Sequence, residues 1–129
     1  MISTKGRYAL RVMIDLAEHG GGPLPLKEIA ERQEISKKYL EIIVKDLVDK
    51  NLVKGASGKG GGYRLCKNAD DYSVGEILEA TEGPLNVVAC LAADQTCPRA
   101  KSCKTLPLWT EYDKMVHGFF FSKKLSDLL

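Results

Sequence analysis

Three of the four cysteines in this chain lie close together in the sequence. Cys90, Cys97 and Cys103 have the spacing C-x6-C-x5-C. Thiolates this close can share an iron-sulfur cluster or a metal ion, and the spacing lacks the C-x2-C knuckles typical of a structural zinc site. Reversible disulfide exchange is the competing chemistry, because Lys101 and Lys104 can lower the pKa of neighbouring thiols. The residues themselves leave both chemistries open.

The composition indicates a compartment in which these thiols stay reduced. The chain has 129 residues, 44% of them hydrophobic, which is enough for one globular domain that needs no disulfides for stability. It contains no run of about 18 apolar residues that could span a membrane, and its first residues lack the apolar run of a secretion signal. We therefore expect a cytoplasmic protein with no membrane association.

Charge is divided unevenly along the chain. Residues 1–65 contain twelve Lys and Arg against eight Asp and Glu, whereas residues 66–129 contain seven against nine. Within the basic half, residues 36–65 hold seven cationic side chains and three anionic ones. This excess can neutralise phosphates, although surface lysines often form only a solvated face.

The basic half reads as three helices followed by a hairpin. Helical spacing of apolar residues predicts helices over 5–19 and 26–32, and Ser36 is a suitable N-cap for a third. That third helix has an apolar stripe of Leu40, Ile43, Val44 and Leu47. Two short strands, 52–54 and 63–66, then flank a glycine-rich loop.

The second half reads as a capped helix, the cysteine segment and a long aromatic helix. Ser73 and Glu76 have the spacing of a capping box, which predicts a helix over 73–81. After the cysteines, large apolar side chains surround one further helix: Trp109, Tyr112, Val116, Phe119 and Phe120. One exposed helix cannot carry so many, so we expect either a dimer interface or packing on the first helix.

This order of elements is that of a winged helix-turn-helix, which places the third helix in the major groove of double-stranded DNA and the hairpin beside it. The fold class is therefore mainly α with a small β-hairpin. Candidate DNA-binding residues are Ser36, Lys37, Lys38, Tyr39, Glu41 and Lys45 on the helix, with Ser57 and Lys59 at the wing tip. The lysines suit phosphates, whereas Glu41 suits a base amine such as cytosine N4. The alternative for Glu41 is an ion pair with Lys37 or Lys45.

An enzyme is not expected from this sequence. The glycine-rich loop resembles a phosphate-binding loop only superficially, because Lys59 is followed by glycines and a strand rather than by Ser or Thr and a helix. No nucleophile, base and oxyanion donor converge in the pattern, and His19 and His117 fall on separate helices.

The whole chain resembles the Rrf2 family of bacterial winged-helix regulators, whose members include regulators of iron-sulfur cluster assembly. The resemblance is carried by Ser3-Thr-Lys-Gly-Arg-Tyr-Ala-Leu10, Ile29-Ala30, Ile35-Ser36, Tyr39-Leu40-Glu41, Gly60-Gly-Gly-Tyr63 and the three cysteines before Leu108-Trp109.

The resemblance implies a homodimeric regulator, expected to be a repressor, whose long C-terminal helices pair and whose Cys90, Cys97 and Cys103 ligate a 2Fe-2S cluster. In the cluster assembly branch of the family a histidine three residues after the last cysteine completes the ligand set. Here that position is Leu106, so the fourth ligand is open. The candidates are His117 of the partner subunit, Cys66, carboxylates such as Asp94 or Glu111, and a small thiol or water. Residues 1–66 would form the DNA-binding region and 67–129 the fourth helix, cysteine loop and dimerisation helix, within a single compact domain.

Two rivals remain from the sequence: a metal-free thiol-disulfide switch that also binds DNA, and a regulatory subunit that holds a protein partner through the aromatic helix.

Overall fold

The computed structural model describes residues 2–86, 91 and 98–129. These residues form the helices α1 (Thr4–Glu18), α2 (Leu26–Gln33), α3 (Lys37–Asp49), α4 (Val74–Glu82) and α5 (Leu106–Ser122), and an antiparallel hairpin of β1 (Val53–Ala56) and β2 (Gly62–Leu65). Two short 3-10 turns, Ala69–Asp71 and Leu125–Leu128, complete the described elements. None of the described helices is long and apolar enough to cross a membrane.

Serine caps start α1 and α3, and a left-handed residue ends α2. The Ser3 hydroxyl accepts from the Gly6 N–H at the start of α1, and the Ser36 hydroxyl accepts from the Tyr39 N–H at 3.2 Å at the start of α3. Each cap satisfies an amide that the helix itself leaves free. Between α2 and α3 the chain turns at Glu34, which adopts a left-handed backbone with φ of 54°. The predicted cap and helix-turn-helix order are confirmed.

The core lies between α1, α3 and the start of the hairpin. The predicted stripe of α3 is fully buried, and it packs with Ala9, Val12, Met13 and Leu16 from α1. The same cluster takes in Tyr72, Ile77 and Leu125 from the second half of the chain. Both halves therefore share one hydrophobic core.

The wing hairpin begins one residue later than the pattern predicted. β1 runs from Val53 rather than from residue 52, because the Leu52 N–H still donates to the Leu47 carbonyl at 2.9 Å as the chain leaves α3. The register pairs Val53 with Leu65 and Ala56 with Gly62. A bridge between Leu24 and the second strand, with N–H to carbonyl distances of 2.8 and 2.9 Å, attaches the hairpin to the chain before α2.

Tyr72 joins the hairpin to the second half of the chain. Its buried hydroxyl donates to the Leu52 carbonyl at 2.6 Å and accepts from the Cys66 N–H at 2.8 Å, while its own carbonyl accepts from the Leu125 N–H at 3.0 Å. The capping box of Ser73 and Glu76 then starts α4, as the spacing predicted. α4 packs on both α1 and α5.

Candidate nucleic-acid interface and cysteine segment

The face of α3 opposite the core is exposed and mostly polar, with Ile42 as an exposed apolar side chain. Lys37, Lys38, Glu41 and Lys45 all lie there, and no acidic residue occupies the first turn of α3. The amino end of a helix carries partial positive charge, to which Lys37 and Lys38 add full charges. The start of α3 is thus suited to polyanions.

A groove of about 660 Å³ lies between the start of α3, the start of α2 and the hairpin. Lys37 and Glu41 line it from α3, and Ser57 lines it from the wing. The structure therefore brings these three predicted residues together. Lys38, Lys45 and Lys59 are exposed but do not line the groove.

Glycines let the wing lie close to its neighbours. Gly62 has φ of 146°, and a Cβ built there would lie 2.5 Å from the Leu24 backbone. Gly60 has φ of 78°, a backbone conformation that residues other than glycine rarely adopt. These positions fix the hairpin against the chain before α2 and leave the tip without bulk.

Two of the predicted DNA-binding side chains have partners within the protein. The Tyr39 ring lies 5.9 Å from the Tyr8 ring, centroid to centroid, and is half-buried. Lys45 forms an exposed ion pair with Asp49 at 3.4 Å, a weak interaction that a phosphate can replace. Among the described residues Glu41 has no ion pair, so the alternative of pairing with Lys37 or Lys45 is not observed.

Sequence reasoning missed one residue that lines this groove and one buried residue that supports it. Lys27, in the first turn of α2, lines the groove beside Lys37. Asp15 is buried on α1 and accepts from the Arg32 guanidinium at 2.9 Å, which fixes α2 and hence the turn that leads to α3. A carboxylate within the apolar stripe of the first helix was the signal that could have identified this clamp.

Cys103 is the one residue of the predicted ligand set that the structure describes; Cys90 and Cys97 lie outside the described residues. Its Sγ lies 3.3 Å from the Thr105 Oγ1. Hydrogen bonding from the Thr105 side chain and backbone lowers the pKa of the Cys103 thiol below its ordinary value. In the parts of the chain that are described, no three His, Cys, Asp or Glu residues form a metal-binding group.

His117 holds the chain that leads into the cysteine segment. Its Nε2 lies 2.6 Å from the Leu85 carbonyl oxygen, and its ring stacks on Phe121 at 6.0 Å between centroids. Because a carbonyl only accepts, Nε2 carries the proton and donates. This nitrogen is therefore engaged by the backbone within the same chain.

The aromatic helix separates into two faces. Phe120 packs against the cluster of Val74, Leu78 and Leu85, and Trp109 and Val116 are half-buried. The opposite face exposes Leu108, Tyr112, Met115 and Phe119, with Met115 67% exposed. Their spacing of four, three and four residues places them in one stripe along α5. Intramolecular packing thus accounts for only part of the apolar set.

The helix order, the basic start of α3 and the adjoining hairpin define a winged helix-turn-helix protein. A family model of Rrf2, described as an iron-dependent transcriptional regulator, matches residues 2–129. The chain belongs to the Rrf2 family of transcriptional regulators, which are not enzymes.

Individual relatives agree with this assignment. The transcriptional regulator IscR of Photobacterium profundum is 36% identical over 99% of this chain and 74% of its own length. The structure of CymR, the global cysteine regulator of B. subtilis, is 40% identical with a TM-score of 0.80, covering 99% of this chain and 95% of that one. The oxidized form of Staphylococcus aureus CymR is 34% identical with a TM-score of 0.75, covering 99% and 94%.

Proposed function

We propose that this chain is a homodimeric, cytoplasmic repressor that binds operator DNA through α3 and the wing and responds to redox or iron-sulfur status through its cysteines. The observation that carries the proposal is the groove in which Lys37 and Glu41 of α3 face Ser57 of the wing. The groove combines cationic side chains with one carboxylate, and the wing glycines leave their backbone accessible.

The side chains divide by chemistry into phosphate and base contacts. Ser36, Lys37, Lys38, Lys45 and Lys59 contact phosphates, since hydroxyl and ammonium groups donate to phosphate oxygens without regard to sequence. Tyr39 packs against Tyr8, which orients the first turn of α3, and its hydroxyl can donate a hydrogen bond to DNA. Glu41 is repelled by phosphates, so its role is to accept from a base amine, with cytosine as the expected partner.

A second copy of the chain covers the exposed stripe of α5. Four large apolar side chains in one line along a helix are the pattern of a helix pairing with its symmetric equivalent. Pairing sets the distance between the two α3 helices, and half-sites one helical turn or a multiple of it apart would match a dimer.

Cys90, Cys97 and Cys103 are proposed to hold a 2Fe-2S cluster. The family description, an iron-dependent transcriptional regulator, favours this ligand set, and the similarity to IscR agrees with it. A bound cluster would supply a group that is gained, lost or reduced with cellular conditions. Leu106 has no donor atom and does not complete the set. His117 donates from Nε2 to the Leu85 carbonyl, a bond that leaves the lone pair of the ring on Nδ1, so the fourth ligand stays open.

This chain's residues transmit the state of the cysteine segment in two places. His117 fixes Leu85, just before the segment, to α5, and Thr105 fixes Cys103 at its far end. A ligand that binds one arrangement of α4 and α5 more tightly than another changes the distance between the two α3 helices of the dimer. A ligand with equal affinity for both arrangements would change nothing.

The metal-free disulfide switch is the second candidate. It is favoured by the similarity to CymR, a cysteine regulator whose S. aureus form has been crystallised in an oxidized state. A lowered pKa of Cys103 suits this chemistry equally well, because the thiolate is the nucleophile in disulfide exchange.

Anaerobic purification distinguishes the iron-sulfur cluster from the disulfide switch. The protein and a C90A/C97A/C103A variant would be compared by ultraviolet-visible spectroscopy with iron and sulfide analysis. Charge-transfer bands with matching iron and sulfide, absent from the variant, support the cluster. A colourless protein that stays free of iron after reconstitution excludes the cluster and favours the disulfide switch.

DNA binding is tested separately by fluorescence anisotropy on a labelled duplex over a range of salt concentrations. Affinity should fall with salt, and Lys37→Ala should flatten that dependence by roughly one unit of logarithmic slope. Absence of salt-dependent binding to duplexes would favour the third candidate, a subunit that regulates a protein partner through α5.

A further inference from the structure

Two cationic side chains lie directly opposite each other on the wing. The register of the hairpin pairs Lys54 of β1 with Arg64 of β2, and both residues are exposed. Directly opposed side chains have Cβ atoms about 4.5–5.5 Å apart, a separation at which like charges destabilise the pairing of strands. The hairpin therefore carries an unfavourable interaction in the free protein.

No acidic side chain relieves this repulsion. Residues 53–65 include no Asp or Glu, and among the described residues neither Lys54 nor Arg64 forms an ion pair. Other exposed cations of the protein do find carboxylates, as Lys67 does with Glu76 at 3.0 Å. The wing pair is thus positioned for an anion from outside the chain.

The pair lies on a different face of the wing from the groove. Side chains alternate along a strand, so Val53 and Leu65 point toward the core, and Tyr63 points the same way. Lys54 occupies the outer face and lies three residues from Ser57, about 10 Å at roughly 3.3 Å per residue. Binding of an anion here would add to the interactions of the groove and the wing tip.

We infer that Lys54 and Arg64 form a clamp for one phosphate of the DNA backbone on the outer face of the wing. The guanidinium of Arg64 can donate to two oxygens of a phosphate, and the ammonium of Lys54 adds a point charge from the facing strand. The clamp contributes no base preference. This inference rests on the proposed DNA-binding function and adds two residues that the predicted site did not include.

Charge reversal gives the sharpest test, because it moves folding and binding in opposite directions. Arg64→Glu replaces the like-charge pair with an opposite-charge pair, so the melting temperature should rise while affinity for DNA falls. A side chain with a purely structural role would show the opposite change in melting temperature. Circular dichroism gives the first quantity, and anisotropy on a fluorescein-labelled duplex of mixed sequence gives the second.

Neutralisation then measures how many phosphates the pair holds. The logarithmic slope of affinity against salt changes by about 0.9 for each phosphate of duplex DNA that the protein no longer neutralises. Lys54→Gln/Arg64→Gln should therefore reduce the slope by about 0.9 and weaken binding to all duplexes alike. Lys50→Gln is the matched control, since Lys50 is exposed but lines a separate cleft with Glu76 and Glu79.

The outcomes distinguish this inference from the function on which it rests. If the double variant keeps the wild-type slope while Lys37→Ala reduces it, the clamp is wrong and the DNA-binding proposal stands. If the wild type shows no salt-dependent binding, both fail together. An equal change in salt slope from Lys50→Gln would also contradict the clamp. It would mean that the loss of any positive charge from the protein weakens binding by the same amount.

Discussion

Glu82, in the last turn of α4, accepts a hydrogen bond from the Ser3 backbone N–H at 2.9 Å, and its carboxylate also accepts from the Ser3 hydroxyl. Ser3 is the residue that caps α1. The carboxylate thus satisfies the amino end of the first helix and adds a favourable charge there. It ties the end of α4, from which the chain leads to the cysteines, to the start of α1 and thus to the proposed DNA-binding region.

Gly6 makes this arrangement possible, so Gly6→Ala should destabilise the fold. A Cβ at residue 6 would overlap the Glu82 side chain, with 3.0 Å to its Cδ. We expect a net loss of about 1 kcal/mol in the free energy of unfolding, because displacing the Glu82 carboxylate breaks its bonds to Ser3, while the helical preference of alanine offsets part of that loss. Urea denaturation measures it. Because Glu82→Ala removes the obstructing atoms, the double variant should lose less than the sum of the single variants; strict additivity would contradict this explanation.

Tyr72→Phe should lower the free energy of unfolding by about 1–3 kcal/mol, because it removes the hydroxyl shared by the Leu52 carbonyl and the Cys66 N–H. Burial is the main cause that raises the pKa of Tyr72 above its ordinary value of 10.0. The unfolded chain therefore ionises first as pH rises. Stability from Tyr72 should be complete below pH 10 and decline above it, so the difference between the two proteins should narrow in alkaline solution.

Glu34→Gly should raise the free energy of unfolding by about 0.5–1 kcal/mol. Glu34 has φ of 54° in the turn before α3, where a side chain with Cβ is strained and glycine is not. The gain is partly offset by the greater freedom of glycine in the unfolded chain. Thermal denaturation provides the measurement. Glu31→Gly, inside α2, is the control and should lower stability; equal effects would show that the turn is not strained.

Thr105→Val should slow alkylation of Cys103 near neutral pH. Removing the Thr105 hydroxyl takes away the main cause that lowers the pKa of this thiol, so less thiolate is present at a given pH. Peptide mass spectrometry after iodoacetamide treatment at several pH values follows the residue individually. The midpoint should move to higher pH in the variant, with the alkylation of Cys66 unchanged as an internal control.

Met115→Glu should convert the proposed dimer to a monomer. Met115 is the most exposed member of the stripe on α5, and a symmetric interface would bring two introduced carboxylates together. Sedimentation equilibrium would report the mass. The control Lys114→Glu places the same charge one residue away on an exposed position and should leave the dimer intact. A monomeric wild type would contradict the proposed interface.

Local chemistry explains which elements were predictable. The caps at Ser36 and Ser73 and the buried stripe of α3 depend on residues close in sequence, and the structure contains all of them. The start of β1 was misplaced because the Leu52 N–H still bonds to the Leu47 carbonyl at the end of α3, and apolar spacing alone does not show where that turn ends.

The parts that sequence reasoning missed depend on distant residues. The groove needed α2, α3 and the wing to meet, so Lys27 could not be recognised as part of it. Phe120 is packed against α4 and Phe119 is exposed, and this difference depends on where α4 lies. Roles for Cys90 and Cys97 remain predictions, because they lie outside the described residues.

The central claim is that α3 and the wing read a DNA sequence, and selection from a randomised pool of duplexes tests it most directly. Wild-type protein should enrich a two-fold symmetric motif whose half-sites are one helical turn or a multiple of it apart. Glu41→Ala should enrich the same motif with the preference lost at one symmetric pair of positions. Failure of the wild type to enrich any motif, or an unchanged motif from Glu41→Ala, would contradict the claim.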